Sequence, residues 1–146
     1  MRQRDRRSEH ERSYEPRLVA SGSYADVYLV GEALSGFDGL ALSKGDQDAM
    51  RASVNLPKYF RRFAETGPSA LNDKMFKKLM DVKVGNGNSV PVFEFKNYQA
   101  RIYGVICNYK GRRAFVGTAC DLKKKQQKAD SAVIARAASE FGKVQI

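Results

Sequence analysis

The sequence predicts an α+β fold: a small, curved, mainly antiparallel sheet of about four strands, with two N-terminal helices and a C-terminal helix. Three observations carry this. Two segments in the first half space their apolar residues as helices do, three successive segments after residue 89 read as strands, and one more helical stripe closes the chain. The resulting order is β, α, α, β, β, β, α, with the helices expected on one face of the sheet.

The first strand is Tyr24-Ala-Asp-Val-Tyr-Leu-Val30, β-branched and aromatic between Gly22 and Gly31. Residues 31–45, with Gly31, Gly36, Gly39 and Gly45, read as a loop. A helix is predicted over 56–66, where Leu56, Tyr59, Phe60 and Phe63 fall at i, i+3, i+4 and i+7; Asn55 is its N-cap, Pro57 sits in its first turn, and Gly67-Pro68 stops it. A shorter helix is expected over 73–80, with Met75, Phe76, Leu79 and Met80 as its apolar face. Val84-Gly-Asn-Gly-Asn-Ser89 is turn chemistry throughout. Strands follow at about 90–96, 101–109 and 113–119. The middle one alternates Ile102, Gly104 and Ile106 with Tyr103, Val105 and Cys107, and the short Gly111-containing connection makes the last two a hairpin. The final helix, 130–141, is capped by Asp130, carries a stripe of Val133, Ile134, Ala137, Ala138 and Phe141, and ends at Gly142.

At 146 residues and 42% hydrophobic, the chain has material for one core. Residues 1–20 are read as a basic tail and 21–146 as the single domain, because residues 1–17 mix Arg with Glu and are too poor in apolar side chains to offset the entropy of ordering. No run approaches the roughly 18 apolar residues that span a bilayer. The charged start has no apolar stretch of a secretory signal, so a cytoplasmic address is expected. Cys107 and Cys120 are then expected to be reduced, small and buried rather than bridged. The single histidine, His10, has no ligand partners at metal spacing, so neither metal nor other cofactor is expected.

The net charge of +10 is not spread evenly. Residues 18–95 hold nine basic and nine acidic side chains, whereas residues 96–128 hold nine basic and one acidic. Such a local excess fits a polyanion, since each neutralised phosphate releases counterions. Residues two apart on a strand share a face, so Arg101, Tyr103 and Cys107 align, with Lys96 across the turn. With Arg112 and Arg113 on the hairpin and Lys123, Lys124 and Lys125 after the last strand, one face gathers cations and a phenol. That set suits single-stranded RNA, and it suits metal-independent cleavage, in which the ribose 2′-hydroxyl attacks its own phosphate and cations stabilise the phosphorane. Ordinary readings also exist: a solvated basic face, Tyr103 half buried against the core, and Asp121 pairing with a lysine.

The run from Val92 to about Phe141 resembles the second half of HigB/RelE-type toxins, especially a HigB-like phage and prophage branch. The matching parts are F-K-N-Y-Q-A-R-I-Y (95–103), A-F-V-G-T-A (114–119), D-L-K-K-K (121–125) and the A-x-x-x-I-A-R-A-like pattern at 129–138, with 55–80 corresponding to two N-terminal helices. The resemblance implies a RelE/ParE-like fold and a type II toxin–antitoxin endoribonuclease that cleaves mRNA on the ribosome and is neutralised by a helix-turn-helix antitoxin. It implies that Lys96 and Arg101 contact the scissile phosphate, that Lys123 and Lys124 face the RNA, and that Asp121 fills an acidic position near the end of the last strand. With the residue reading, the expected catalytic set is Arg101, Lys123, Lys124 and Tyr103, the best remaining hydroxyl, and the expected RNA contacts are Lys96, Arg112, Arg113, Lys125 and Asp121. One departure stands out: Leu122 occupies the place of a tyrosine in well-studied members, and Phe141 is not a tyrosine either. The alternatives are a related phage protein that only binds RNA or a protein partner, and a ParE-like gyrase inhibitor.

Overall fold

The computed structural model describes residues 15–85, 87–123 and 130–144. Its strands are β1 (Arg17–Ser21), β2 (Asp26–Leu29), β3 (Phe76–Gly85), β4 (Asn88–Asn97), β5 (Ala100–Tyr109) and β6 (Arg112–Asp121), and its helices are α1 (Gly31–Leu40), α2 (Gln47–Thr66) and α3 (Ser131–Phe141). The six strands form one sheet in the order β1-β2-β6-β5-β4-β3. β2 pairs parallel with β6, and the other pairings are antiparallel. The class is α+β, but the expected RelE/ParE-like sheet of about four strands behind two N-terminal helices is not what forms.

Each departure has a tertiary cause. Residues 31–40, read as loop because glycine costs a helix about 1 kcal/mol per residue, form α1 instead. Ala33, Phe37 and Leu40 recur at helical spacing and pack on the core, and Gly36 allows a close approach: a Cβ there would lie 2.7 Å from Cys120 Sγ. Residues 76–85 form a strand, not a helix. Asn72 does cap a turn, its Oδ1 accepting from Lys74 N at 2.9 Å, but β4 then pairs with the chain. The pairing register slips between Lys78 and Met80. That bulge disrupts the period of two and leaves the apolar residues at spacings that mimic a helix. α2 begins nine residues earlier than Leu56, at Gln47, with Asp46 as its cap and Pro57 inside it. An interior proline costs a helix about 3 kcal/mol, a loss set against the burial of Leu56, Phe60 and Phe63. The described part of the expected tail contributes β1, an edge strand on β2.

Helices cover both faces of the sheet rather than one. α1 and α2 pack on Val27, Leu29, Phe95, Ile102 and Phe115, where Phe60, Phe63, Phe76, Phe95 and Phe115 form an edge-to-face cluster. α3 packs on Val92, Tyr103, Val105 and Ala119, and the hydroxyl of Thr118 donates to Ala137 O at 2.7 Å. Where the sequence pattern is regular, the expected elements form: β4, β5 and β6, the Lys110-Gly111 hairpin with φ of 53° and 79°, and α3 with Asp130 Oδ1 accepting from Ala132 N. β2 ends at Leu29, leaving the far half of β6 without a strand partner on that side. There the Glu32 carboxylate accepts from Cys120 N at 3.1 Å and from Arg136 Nη2 at 2.9 Å, in place of the missing strand. No helix among the described residues is long and apolar enough to cross a membrane.

Candidate nucleic-acid interface

The β4–β5 hairpin turns over Tyr98 and Gln99, with Asn97 opposite Ala100. Tyr98 has a φ of 55° and is 69% exposed. A left-handed backbone at a bulky residue costs roughly 1–2 kcal/mol, and the surrounding bonds supply the constraint that holds it. Arg101 Nη1 donates to the Tyr98 carbonyl, Asn97 Nδ2 donates to the Tyr59 hydroxyl at 3.2 Å, and Lys96 N donates to Met75 O at 2.9 Å.

Below the turn, alternation puts Glu94, Lys96, Arg101, Tyr103 and Asp121 on the α3 side of the sheet. Glu94 is 2% exposed and Arg101 6%. The Glu94 carboxylate lies 3.8 Å from Arg101 Nε and 3.9 Å from Lys96 Nζ, ion-pair distances too long for hydrogen bonds. Lys77 faces Glu94 from β3. Burial, followed by the charge of Lys77, lowers the pKa of Lys96 below the usual lysine value. Tyr103 is 0% exposed; burial, with Glu94 and Asp121 nearby, raises its pKa. Its hydroxyl has no hydrogen-bond partner among the described residues. Tyr103 is therefore an interior group, and Arg101 a nearly buried one; Lys96, whose side chain is more exposed, and Arg101 both line a cleft.

That cleft, about 490 Å³, opens between α2, the chain before β3 and the hairpin; Tyr59, Asn72, Lys74, Lys96, Tyr98 and Arg101 line it. A second, of about 430 Å³, adjoins it and is lined by Asp48, Arg51, Asn55, Asn97 and Tyr98. Both lie within the roughly 300–1,000 Å³ range of ligand pockets. Together they make an open surface of cations, amides and two tyrosines.

The remaining expected site residues divide. Arg112 and Arg113 lie at the opposite end of β6, about eight residues or roughly 26 Å from the Arg101–Asp121 pair. Arg112 is engaged there by Gly22 O and by Asp26 at 3.6 Å, and Arg113 sits 4.3 Å over the Tyr24 ring. Asp121 is partly buried opposite Arg101, and Lys123 is exposed in the turn after β6. Lys124 and Lys125 lie outside the described residues. Burial pushes the thiols of Cys107 and Cys120 up to about 11 and about 12, and neither is bridged.

In the sequence, Asn55 and Tyr59 read as structural only, a cap and part of an apolar stripe, and Lys74, Arg51 and Tyr98 carry no site role. The signal was available: Arg51, Asn55 and Tyr59 stand four residues apart, one stripe on a helix that starts at Gln47. No protein-family model, curated protein sequence or solved structure matches the chain, and the site is read from its own residues.

Proposed function

We propose that the protein binds single-stranded RNA across the surface formed by α2 and the β4–β5 hairpin. The observation that carries this reading is the grouping of Lys74 and Lys96 with the Tyr59 and Tyr98 rings at one open cleft. Ammonium groups hold phosphates, and the exposed Tyr98 ring, beside a Tyr59 ring half-buried against the core, can stack on a base that a single strand splays out and a duplex does not. Fluorescence anisotropy with a labelled single-stranded RNA and the same sequence as a blunt duplex tests it. Tighter binding of the single strand is expected; equal affinity for the two, or no binding, overturns the proposal.

A second reading, metal-independent cleavage of RNA by a toxin held by an antitoxin on this surface, is favoured by one observation, the lowered pKa of Lys96. A lysine poised closer to neutrality is a better proton acceptor for a ribose 2′-hydroxyl. Lys74 would supply charge to the phosphorane; Tyr103, enclosed by the core, would not reach the RNA. Incubation of the complex in EDTA distinguishes the readings: products with 2′,3′-cyclic phosphate ends support cleavage, and intact RNA leaves binding alone.

A further inference from the structure

The two clefts share Asn97 and Tyr98 of the β4–β5 turn. The Tyr98 ring is carried on a hairpin tip at a φ of 55°, exposed to solvent, while Arg101 grips the carbonyl of the same residue from below. The two-residue loop itself demands a left-handed backbone at this position, as at Lys110 in the β5–β6 hairpin with φ of 53°. Placing a large ring there, where glycine or asparagine is the usual choice, and anchoring its carbonyl with a buried guanidinium presents that ring rigidly to solvent. The first cleft is also lined by Lys74, Lys96 and Asn72, the second by Arg51, Asn55 and Asp48. Each cleft thus offers a cation for a phosphate and an amide for a base edge, the second adding the carboxylate of Asp48, so two adjoining clefts of nucleotide-sized chemistry meet at Tyr98.

Resting on the RNA-binding reading, we infer that Tyr98 is a wedge that inserts between two consecutive nucleotides of a single strand, parting their bases into the two clefts. Stacking then occurs on both faces of the phenol. Arg101, nearly buried at the edge of the first cleft and engaged by Glu94 and the Tyr98 carbonyl, is a positioning residue that fixes the turn carrying the ring.

The test uses the full chain and a short single-stranded RNA bearing two adjacent 2-aminopurines. Stacked neighbours give an exciton couplet in circular dichroism at wavelengths where the protein does not absorb, and a ring inserted between them abolishes it. Wild-type protein at saturation is expected to collapse the couplet, and Tyr98→Phe to do the same. Tyr98→Ala, whose exposed position leaves the fold intact, is expected to bind roughly 5- to 150-fold more weakly, the net of two lost base–ring stacks and one regained base–base stack, and to preserve the couplet when saturated. A couplet that survives in the saturated wild-type complex overturns the wedge while leaving RNA binding in place, and so does a Tyr98→Ala complex that collapses it. Failure of the wild-type protein to bind the probe at all overturns both.

Discussion

Replacing Arg101 with Met keeps the unbranched apolar stem and removes the guanidinium. Removing one partner of a buried ion pair generally costs 3–5 kcal/mol, roughly. Here the Arg101–Glu94 separation is 3.8 Å and Lys96 remains 3.9 Å from the same carboxylate, so about 2 kcal/mol is the appropriate share. The lost hydrogen bond to the Tyr98 carbonyl adds about 1 kcal/mol. The sum of about 3 kcal/mol corresponds to a fall in Tm of roughly 6–12 °C for a domain of this size. Glu94→Gln in the Arg101→Met background should recover part of the loss, because the charge that Arg101 answered is then gone. Thermal unfolding followed by circular dichroism measures both effects, and RNA titrations at several salt concentrations measure a third: the salt dependence of binding should be unchanged, since Arg101 neutralises no phosphate. A Tm change worth under about 0.5 kcal/mol, joined to a salt slope reduced by about 0.7, would refute the reasoning and make Arg101 a direct RNA contact.

Two further outcomes follow from the packing. With thiol pKa values pushed by burial from 9.0 to about 11 for Cys107 and about 12 for Cys120, reaction with a disulfide reagent near pH 8 should be about a hundredfold or more slower in the native protein than in denaturant. The sign for stability is fixed by the same shifts: the contribution of the neutral thiols is present below pH 9 and is lost as pH rises from 9 through 11–12, so the urea midpoint should fall across that window; rapid native reaction at both cysteines would contradict the placement. At the open side of β6, Glu32→Ala should cost about 1–3 kcal/mol because the Cys120 amide loses its acceptor, whereas Arg136→Ala, which removes only a half-exposed ion pair, should cost under about 1 kcal/mol. Equal losses in denaturant titrations would show that the carboxylate does not act as the substitute strand.

The second half of the chain was legible because its patterning is regular. Alternation over 101–109 gave the correct faces for Ile102, Tyr103 and Val105, and Asp130 and Gly142 bracketed α3. The first half was not, and each reason is tertiary. Gly36 in α1 is required by the close approach of Cys120, the bulge in β3 imitates helical spacing, and Pro57 sits inside a helix that its type usually starts. The local charge count found Lys96 and Arg101 but joined them to Arg112 and Arg113, which antiparallel pairing carries to the other end of the strands. Charge counting along the chain has no knowledge of which end of a hairpin a residue occupies. It also passed over Lys74, Arg51 and Tyr59, which fall in the segment whose charges balance and reach the site only through folding.

The location of the RNA on this surface is tested most directly by the salt dependence of single-stranded RNA binding in two double variants. Each lost phosphate contact lowers the slope of log K against log salt by about 0.7. Lys74→Ala with Lys96→Ala should therefore reduce the wild-type slope by about 1.4, while Arg112→Ala with Arg113→Ala, at the far end of β6, should leave it unchanged. The reverse pattern would contradict the account and move the RNA to the opposite end of the sheet.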